Sequence, residues 1–256
     1  MLVHRKAKPQ FKAHHIFSPT ITTTRSPLME ADFNLHKSNS TYFTDLDVSR
    51  AYLAGVLFGP LFSTGIGGRR CNLIVASVAC TFRREIKLYR ASETWTRIAS
   101  WDDKWLYVVT HFVSGRTSAS HPDILTSGAR GHTGKANGRS ERTVLASAVT
   151  QFVFKQGRRT VRPVDALAAC GLLRSPSGPY NDKPLGCEEY HSPSLPALSS
   201  NDNLGPNEGR QELAIPAEIE AMRRANLPVV RLEKGWDKVT ELFQANGVIL
   251  GRHNCI

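Results

Sequence analysis

The chain has 256 residues, of which 41% are hydrophobic, enough apolar matter for one sizeable core and one to two domains. A formal net charge of +11 predicts a basic surface that attracts polyanions: nucleic acid, an anionic membrane face or the phosphates of a coenzyme. The basic residues are spread along the chain rather than gathered in an aromatic-interleaved stripe, which argues against nucleic acid. No run approaches the ~18 apolar residues of a membrane span, since residues 51–62 are short and contain Gly59-Pro60.

The first 29 residues carry His4, Arg5, Lys6, Lys8, Lys12 and Arg25 with no acid before Glu30, which resembles a weak mitochondrial presequence without its amphipathic helix. No apolar signal region accompanies them. The five cysteines (Cys71, Cys80, Cys170, Cys187, Cys255) are odd in number and never spaced as CxxC, so reduced thiols without zinc are expected. A cytoplasmic protein is the default, with the basic surface suited to peripheral contact with an anionic membrane.

In chain order, a tail over residues 1–13 leads into a first strand at residues 16–24. The segment DFNLHKSNSTYF, residues 32–43, then holds more polarity than a helix cap requires, and surplus polarity beside a buried element points to a site. Residues 40–58 read as a helix whose second half, AYLAGVLF, is apolar all round and must be enclosed, with Gly59-Pro60 as its stop. Residues 72–82, rich in β-branched residues and apolar on both faces, predict a central strand. Residues 93–101 and 105–113 flank the polar link Asp102-Asp103-Lys104 as an antiparallel hairpin, and residues 143–155 form a fourth strand-like run.

Residues 114–142 are Gly/Ser/Arg-rich without hydrophobic period and predict a disordered insertion. Its GHTGK, residues 131–135, fails the phosphate-loop spacing. Residues 175–215 read as a linker and residues 216–256 as a helical C-terminal extension docked on the main domain, residues 14–174. The architecture expected is α+β: an antiparallel sheet wrapped around one long helix.

Asp32, His36, Asn39 and Tyr42, with Arg50 beyond, resemble the pre-helix motif of the hot-dog-fold, hydroxybenzoyl-CoA-thioesterase-like proteins, with Leu35 in place of a glycine and Ser38 in place of an asparagine. The pattern DxNxHxxNxxYxxxxDxxR, met by Asp32, Asn34, His36, Asn39, Tyr42, Asp47 and Arg50, together with the WDDKW of residues 101–105, resembles more closely the fungal and animal group typified by thioesterase superfamily member six. The resemblance spans approximately residues 16–173. It implies a hot-dog fold, a homodimer with its site built across the interface, and an acyl-CoA substrate, so that coenzyme A enters as part of the substrate and no separate cofactor is needed.

Thioester hydrolysis needs a carboxylate to attack or to activate water, and donors where the oxyanion forms. Asp32 supplies the first, with a pre-helix capping or turn role as its bland alternative. Unpaired amides at the helix start, near residues 39–42, supply the second. Asn39 orients water or carbonyl. His36 serves as base, as orienter of Asp32, or as a structural residue.

Tyr42 reads as core and Arg50 as a partner of Asp47. The sequon at Asn39-Ser40-Thr41 sits at a helix start and is not expected to be glycosylated. His14-His15 and His111 lack metal-ligand spacing, Cys80 lacks a base, and no serine lies in a GxSxG elbow. No metal is expected, and the residues that would hold the coenzyme are not identified by any motif. Two other readings stand beside hydrolysis: a non-catalytic acyl or lipid-binding protein, and an acyl-CoA dehydratase on the same fold.

Overall fold

A computed structural model describes residues 13–115, 142–173, 215–245 and 247–255. Nearly all of the expected 1–13 tail, the 114–142 insertion and the 175–215 linker fall outside the described residues. Among these elements are β1 (Thr20–Arg25), α1 (Thr41–Ser63), β2 (Asn72–Phe82), β3 (Ala91–Trp101), β4 (Leu106–Ser114), β5 (Val144–Gln156), β6 (Arg159–Val161), α2 (Pro163–Ala169), α3 (Ala217–Val230), α4 (Gly235–Glu241) and β7 (Gly251–Asn254).

The sheet runs β2-β5-β4-β3-β1-β7, with β6 pairing β5, and it curls around α1 in the manner of the hot-dog fold. All pairs are antiparallel except β1 with β7, so the sheet is mixed rather than purely antiparallel. The exception lies where the C-terminal extension, after its two helices, adds a strand to the sheet edge. Residues 16 and 17 belong to a 3-10 turn, Ala13–Phe17, and the first strand begins only at Thr20.

Alternation along the strands divides the core into two layers. One face of the sheet packs Ile98, Val108, Phe152 and Phe154 against Leu53, Leu57, Phe58 and Leu61 of α1. The other face packs Ala99, Tyr107, Val109 and Val149 against Val229 and Val230 of α3 and Val239 of α4. This second layer makes β3, β4 and most of β5 buried on both faces. Each fully buried leucine, isoleucine or valine adds about 1.5–3 kcal/mol of transfer free energy.

The extension is locked on by polar contacts as well. Buried Glu93 of β3 accepts from Trp95 Nε1 at 3.0 Å and pairs with Arg252 of β7 at 2.7 Å. At the predicted hairpin, Asp102 Oδ1 accepts the amides of Lys104 (3.0 Å) and Trp105 (2.7 Å), while Oδ2 accepts from the Tyr107 hydroxyl and from Arg231 beyond α3. Burial opposes ionisation of Asp102, yet Arg231, those two amides and Tyr107 together hold its carboxyl below the usual carboxylate range.

Three further expectations are corrected. Helix α1 does not stop at Gly59-Pro60: it runs on to Ser63, because proline forfeits one backbone bond while its carbonyl still accepts the Thr64 amide at 2.9 Å and the Thr64 hydroxyl at 2.8 Å. Its apolar second half is not enclosed all round, since Ala51 and Gly55 are exposed; these small residues add little to the apolar surface left in water. Strand β2 is not central but an edge of the sheet, with only β5 beside it among the described residues, and its Ile74 and Val75 are 46% and 42% exposed.

Candidate active site

The polar segment folds as a tight loop between a 3-10 turn, Leu28–Glu30, and the start of α1. An antiparallel bridge joins Ala31 to Lys37, and the Asp32 amide donates to the His36 carbonyl at 2.8 Å. Asp32 Oδ1 accepts the amides of Asn34 at 2.9 Å and His36 at 3.1 Å, an Asx turn that fixes the carboxylate by backbone donors. No donor reaches Oδ2 among the described residues. Asp32 is partly buried.

Leu35 sits at φ 60°, the left-handed region that costs an L side chain about 1–2 kcal/mol. The glycine that the hot-dog thioesterase motif places here is therefore explained by the backbone, and Leu35 occupies its conformation at a cost.

The backbone of His36 bridges that of Lys87 on the segment after β2, and among the described residues no hydrogen bond joins its ring to the Asp32 carboxylate. The Glu85 carboxyl is held low first by its own backbone amide and then by His36, Lys87 and Arg84. Asn39 is exposed and its side chain makes no hydrogen bond among the described residues. The loop thus gathers Asp32, His36 and Asn39 within one short stretch, with His36 tied to Asp32 through its amide and carbonyl.

The start of α1 offers fewer open amides than the sequence suggests. The Thr41 amide already donates to the Ser38 carbonyl at 3.0 Å, joined by the Thr41 hydroxyl at 2.7 Å, and the Phe43 amide donates to Ser40. The amides of Asn39, Ser40 and Tyr42 meet no acceptor among the described residues and carry the positive end of the helix dipole.

Lys37 is the residue that sequence reasoning misses. Its side chain is 1% exposed, paired with Glu30 and lying 3.1 Å from Asp45 Oδ2, and its amide donates to the Ile86 carbonyl at 2.9 Å. Burial pushes the Asp45 carboxyl up, and Lys37 pulls against that shift. A lysine reads as surface in any sequence; its only signal is its place between Glu30 and Asp45, which the chain cannot announce without the fold. Lys37 fastens the Asp32 loop to both α1 and the segment after β2.

Tyr42 is core: its ring packs edge-on against Phe82 and Phe112 at 4.9 and 5.0 Å, and burial pushes its hydroxyl up to about 12. Arg50 pairs with Asp47 and donates to Thr150 Oγ1 at 3.1 Å. On the segment after β2, Arg83 and Arg84 line a groove with Arg142, Thr143, Val144 and Thr240, three residues along from the Lys87 that bridges His36.

A family model described as the thioesterase-like superfamily matches residues 27–169, more than half of the chain. The chain belongs to that superfamily. It is 40% identical over 169 residues to the thioesterase poxG of Penicillium oxalicum, covering 62% of this chain and 55% of that one. It is 36% identical over 255 residues to a protein of Emericella nidulans named "Probable thioesterase atnL", covering 93% of this chain and 75% of the other. A Saccharomyces cerevisiae protein named "Probable thioesterase YBR096W" is 35% identical over 169 residues, with 65% of this chain and 58% of its own length covered. The chain therefore spans little more than half the length of the first and third of these relatives. The match over residues 27–169 contains the whole Asp32 loop, α1 and strands β2 to β5. Among the described residues no helix is long and apolar enough to cross a membrane.

Proposed function

We propose that this superfamily member hydrolyses a thioester of coenzyme A at the Asp32 loop. The observation that carries the reading is the Asp32 carboxylate, fixed by two backbone amides with its second oxygen open, in the loop that leads into the N-terminus of the central helix. A carboxylate so held either takes a proton from water as that water attacks the thioester carbon, or attacks the carbon itself to give an anhydride that water then opens. The amides of Asn39, Ser40 and Tyr42 stabilise the oxyanion as it forms. In either route the carbon–sulfur bond breaks as the tetrahedral intermediate collapses, which in the second route is the step that forms the anhydride before water opens it, and the thiolate leaves and takes up a proton. Asn39 orients the water or the carbonyl, and His36 supports the loop beside Lys87. The thioesterase names of the fungal relatives agree with this reaction class.

The groove of Arg83, Arg84 and Arg142 suits the coenzyme's phosphates, which guanidinium groups bind in bidentate fashion. A homodimer completes the proposal. The free edge of β2 is eleven residues long and carries exposed Ile74 and Val75, the kind of edge that a second copy pairs and covers. Pairing there would place β2 inside a continuous sheet, which accounts for its two apolar faces. Release of free thiol from a panel of acyl-CoA esters tests the reaction: turnover of at least one ester is expected, and no release from any of them overturns the proposal.

A non-catalytic acyl-binding role is favoured by one observation, the departure from the thioesterase motif at Leu35, which strains the loop that must hold Asp32 still. Stabilisation by a non-hydrolysable acyl-CoA without any hydrolysis would select it.

A further inference from the structure

Strand alternation separates two faces of β4: Phe112 points to α1 and packs on Tyr42, so His111 points to the opposite face, under the C-terminal extension. There a cavity of about 260 Å³ lies between the sheet and the extension, lined in part by Trp95, Arg97, His111, Met222, Asn226 and Phe243. It is separated from the Asp32 loop by the sheet itself.

Two polar groups in its wall are under-used. Arg97 donates to the Leu242 carbonyl, but no carboxylate pairs with it among the described residues. Burial pulls its guanidinium down to about 10, the mark of a cation short of compensation. His111 is 2% exposed; its Nδ1 meets Ser147 Oγ at 3.0 Å, and Nε2, on the far side of the ring, has no partner. With the Ser147 hydroxyl donating to Nδ1, the neutral ring carries its proton on Nε2. The half-buried Phe243 ring packs edge-on against both His111 and Trp95 at 5.5 Å.

We propose that this cavity binds a small organic monocarboxylate with a body of one ring or a comparable branched chain. The carboxylate supplies the counter-charge that Arg97 lacks and the acceptor that His111 Nε2 lacks, and a buried polar group without a partner favours any ligand that satisfies it. Trp95, Phe243 and Met222 supply apolar walls for the body. A cavity of about 150 Å³ already admits a benzene ring, so 260 Å³ leaves room for a ring and its carboxylate. Balanced polar and apolar walls fit an amphipathic anion better than either a hydrocarbon or a phosphate.

Calorimetric titration of the full chain with benzoate, phenylacetate and 2-methylbutyrate, each beside its neutral amide, tests the proposal. At least one carboxylate is expected to bind one-to-one in the millimolar range or tighter, with its amide weaker by about tenfold or more. Arg97→Gln is expected to weaken that carboxylate by about tenfold or more, while Arg97→Lys retains most of the affinity because the charge stays. Met222→Trp, at the partly exposed rim, is expected to abolish binding by filling the cavity, and it keeps the test decisive if Arg97→Gln does not fold. Absence of binding by all three carboxylates, equal affinity for acid and amide, or undiminished binding in Met222→Trp would each overturn it.

Discussion

The amide of His36 donates to the carboxylate of Asp32 at 3.1 Å while the amide of Asp32 donates to the carbonyl of His36 at 2.8 Å, so these two residues close the loop on each other through the backbone. Asp32 is aimed by the chain around it, and the His36 backbone is tied in turn to Lys87 on the segment after β2.

The left-handed backbone at Leu35 lies inside that closed loop. Leu35 is 66% exposed, so replacing it sacrifices little burial. Leu35→Gly is expected to raise stability by about 1 kcal/mol, the relief of the left-handed conformation less the added chain entropy of glycine. Denaturant unfolding measures it, and a loss of stability would show that the leucine side chain holds the loop in a way its exposure does not reveal.

Lys37 ties the loop to α1. In Lys37→Met the carboxylates of Glu30 and Asp45 lose their shared cation, and stability is expected to fall by about 3 kcal/mol, as when one partner of a buried pair is removed. Hydrogen exchange should show the loss first at residues 31–40. Unchanged exchange there would separate Lys37 from the positioning of Asp32.

Much of this was legible before any coordinates. The β-branched runs of β2 to β5 and the Asp102 turn follow from residue type and spacing, because local geometry decides them. The spacing of Asp32, His36 and Asn39 likewise marks one loop. Position within the sheet was not legible: β2 is apolar on both faces, which fits a central strand and a strand awaiting a second copy equally well. Pro60 misleads because a proline near a helix end forfeits a single bond, which the last turn tolerates. Strand β7 is four residues of mixed polarity, GRHN, and what draws it to the sheet lies far off in the chain: the parallel ladder with β1 and the Arg252 pair with Glu93 of β3, 159 residues apart. Lys37 is hidden for the same reason, since its partners are assembled by tertiary structure.

His111 makes the fold sensitive to acid. Burial first, and the nearby Arg97 charge second, pull its imidazole down to about 3 from 6.5. The unfolded chain therefore binds a proton between these values that the folded chain refuses, so stability is highest above 6.5 and falls as the pH drops toward 3. The contribution is about 1.4 kcal/mol per pH unit across that window. His111→Gln should flatten the profile there, and parallel profiles for the two proteins would mean that His111 charges without unfolding the chain.

The edge of β2 decides the assembly. Light scattering is expected to give a dimer for the wild-type chain, and Ile74→Lys with Val75→Lys, two charges on that edge strand, is expected to give a folded monomer with reduced thioester turnover. A wild-type monomer at micromolar concentration, or a dimer untouched by the two lysines, would place the interface elsewhere.

The most direct measurement of the central claim is the rate of thiol release from the best acyl-CoA substrate by wild-type protein and by Asp32→Asn, with melting temperature recorded for both. The asparagine keeps an oxygen for the Asn34 and His36 amides and so preserves the loop, but it can neither take a proton from water nor attack the thioester. The account predicts a fall of about 10²–10⁴ in turnover with the melting temperature nearly unchanged. Turnover by Asp32→Asn equal to that of the wild type would contradict it, and would move the chemistry away from the loop.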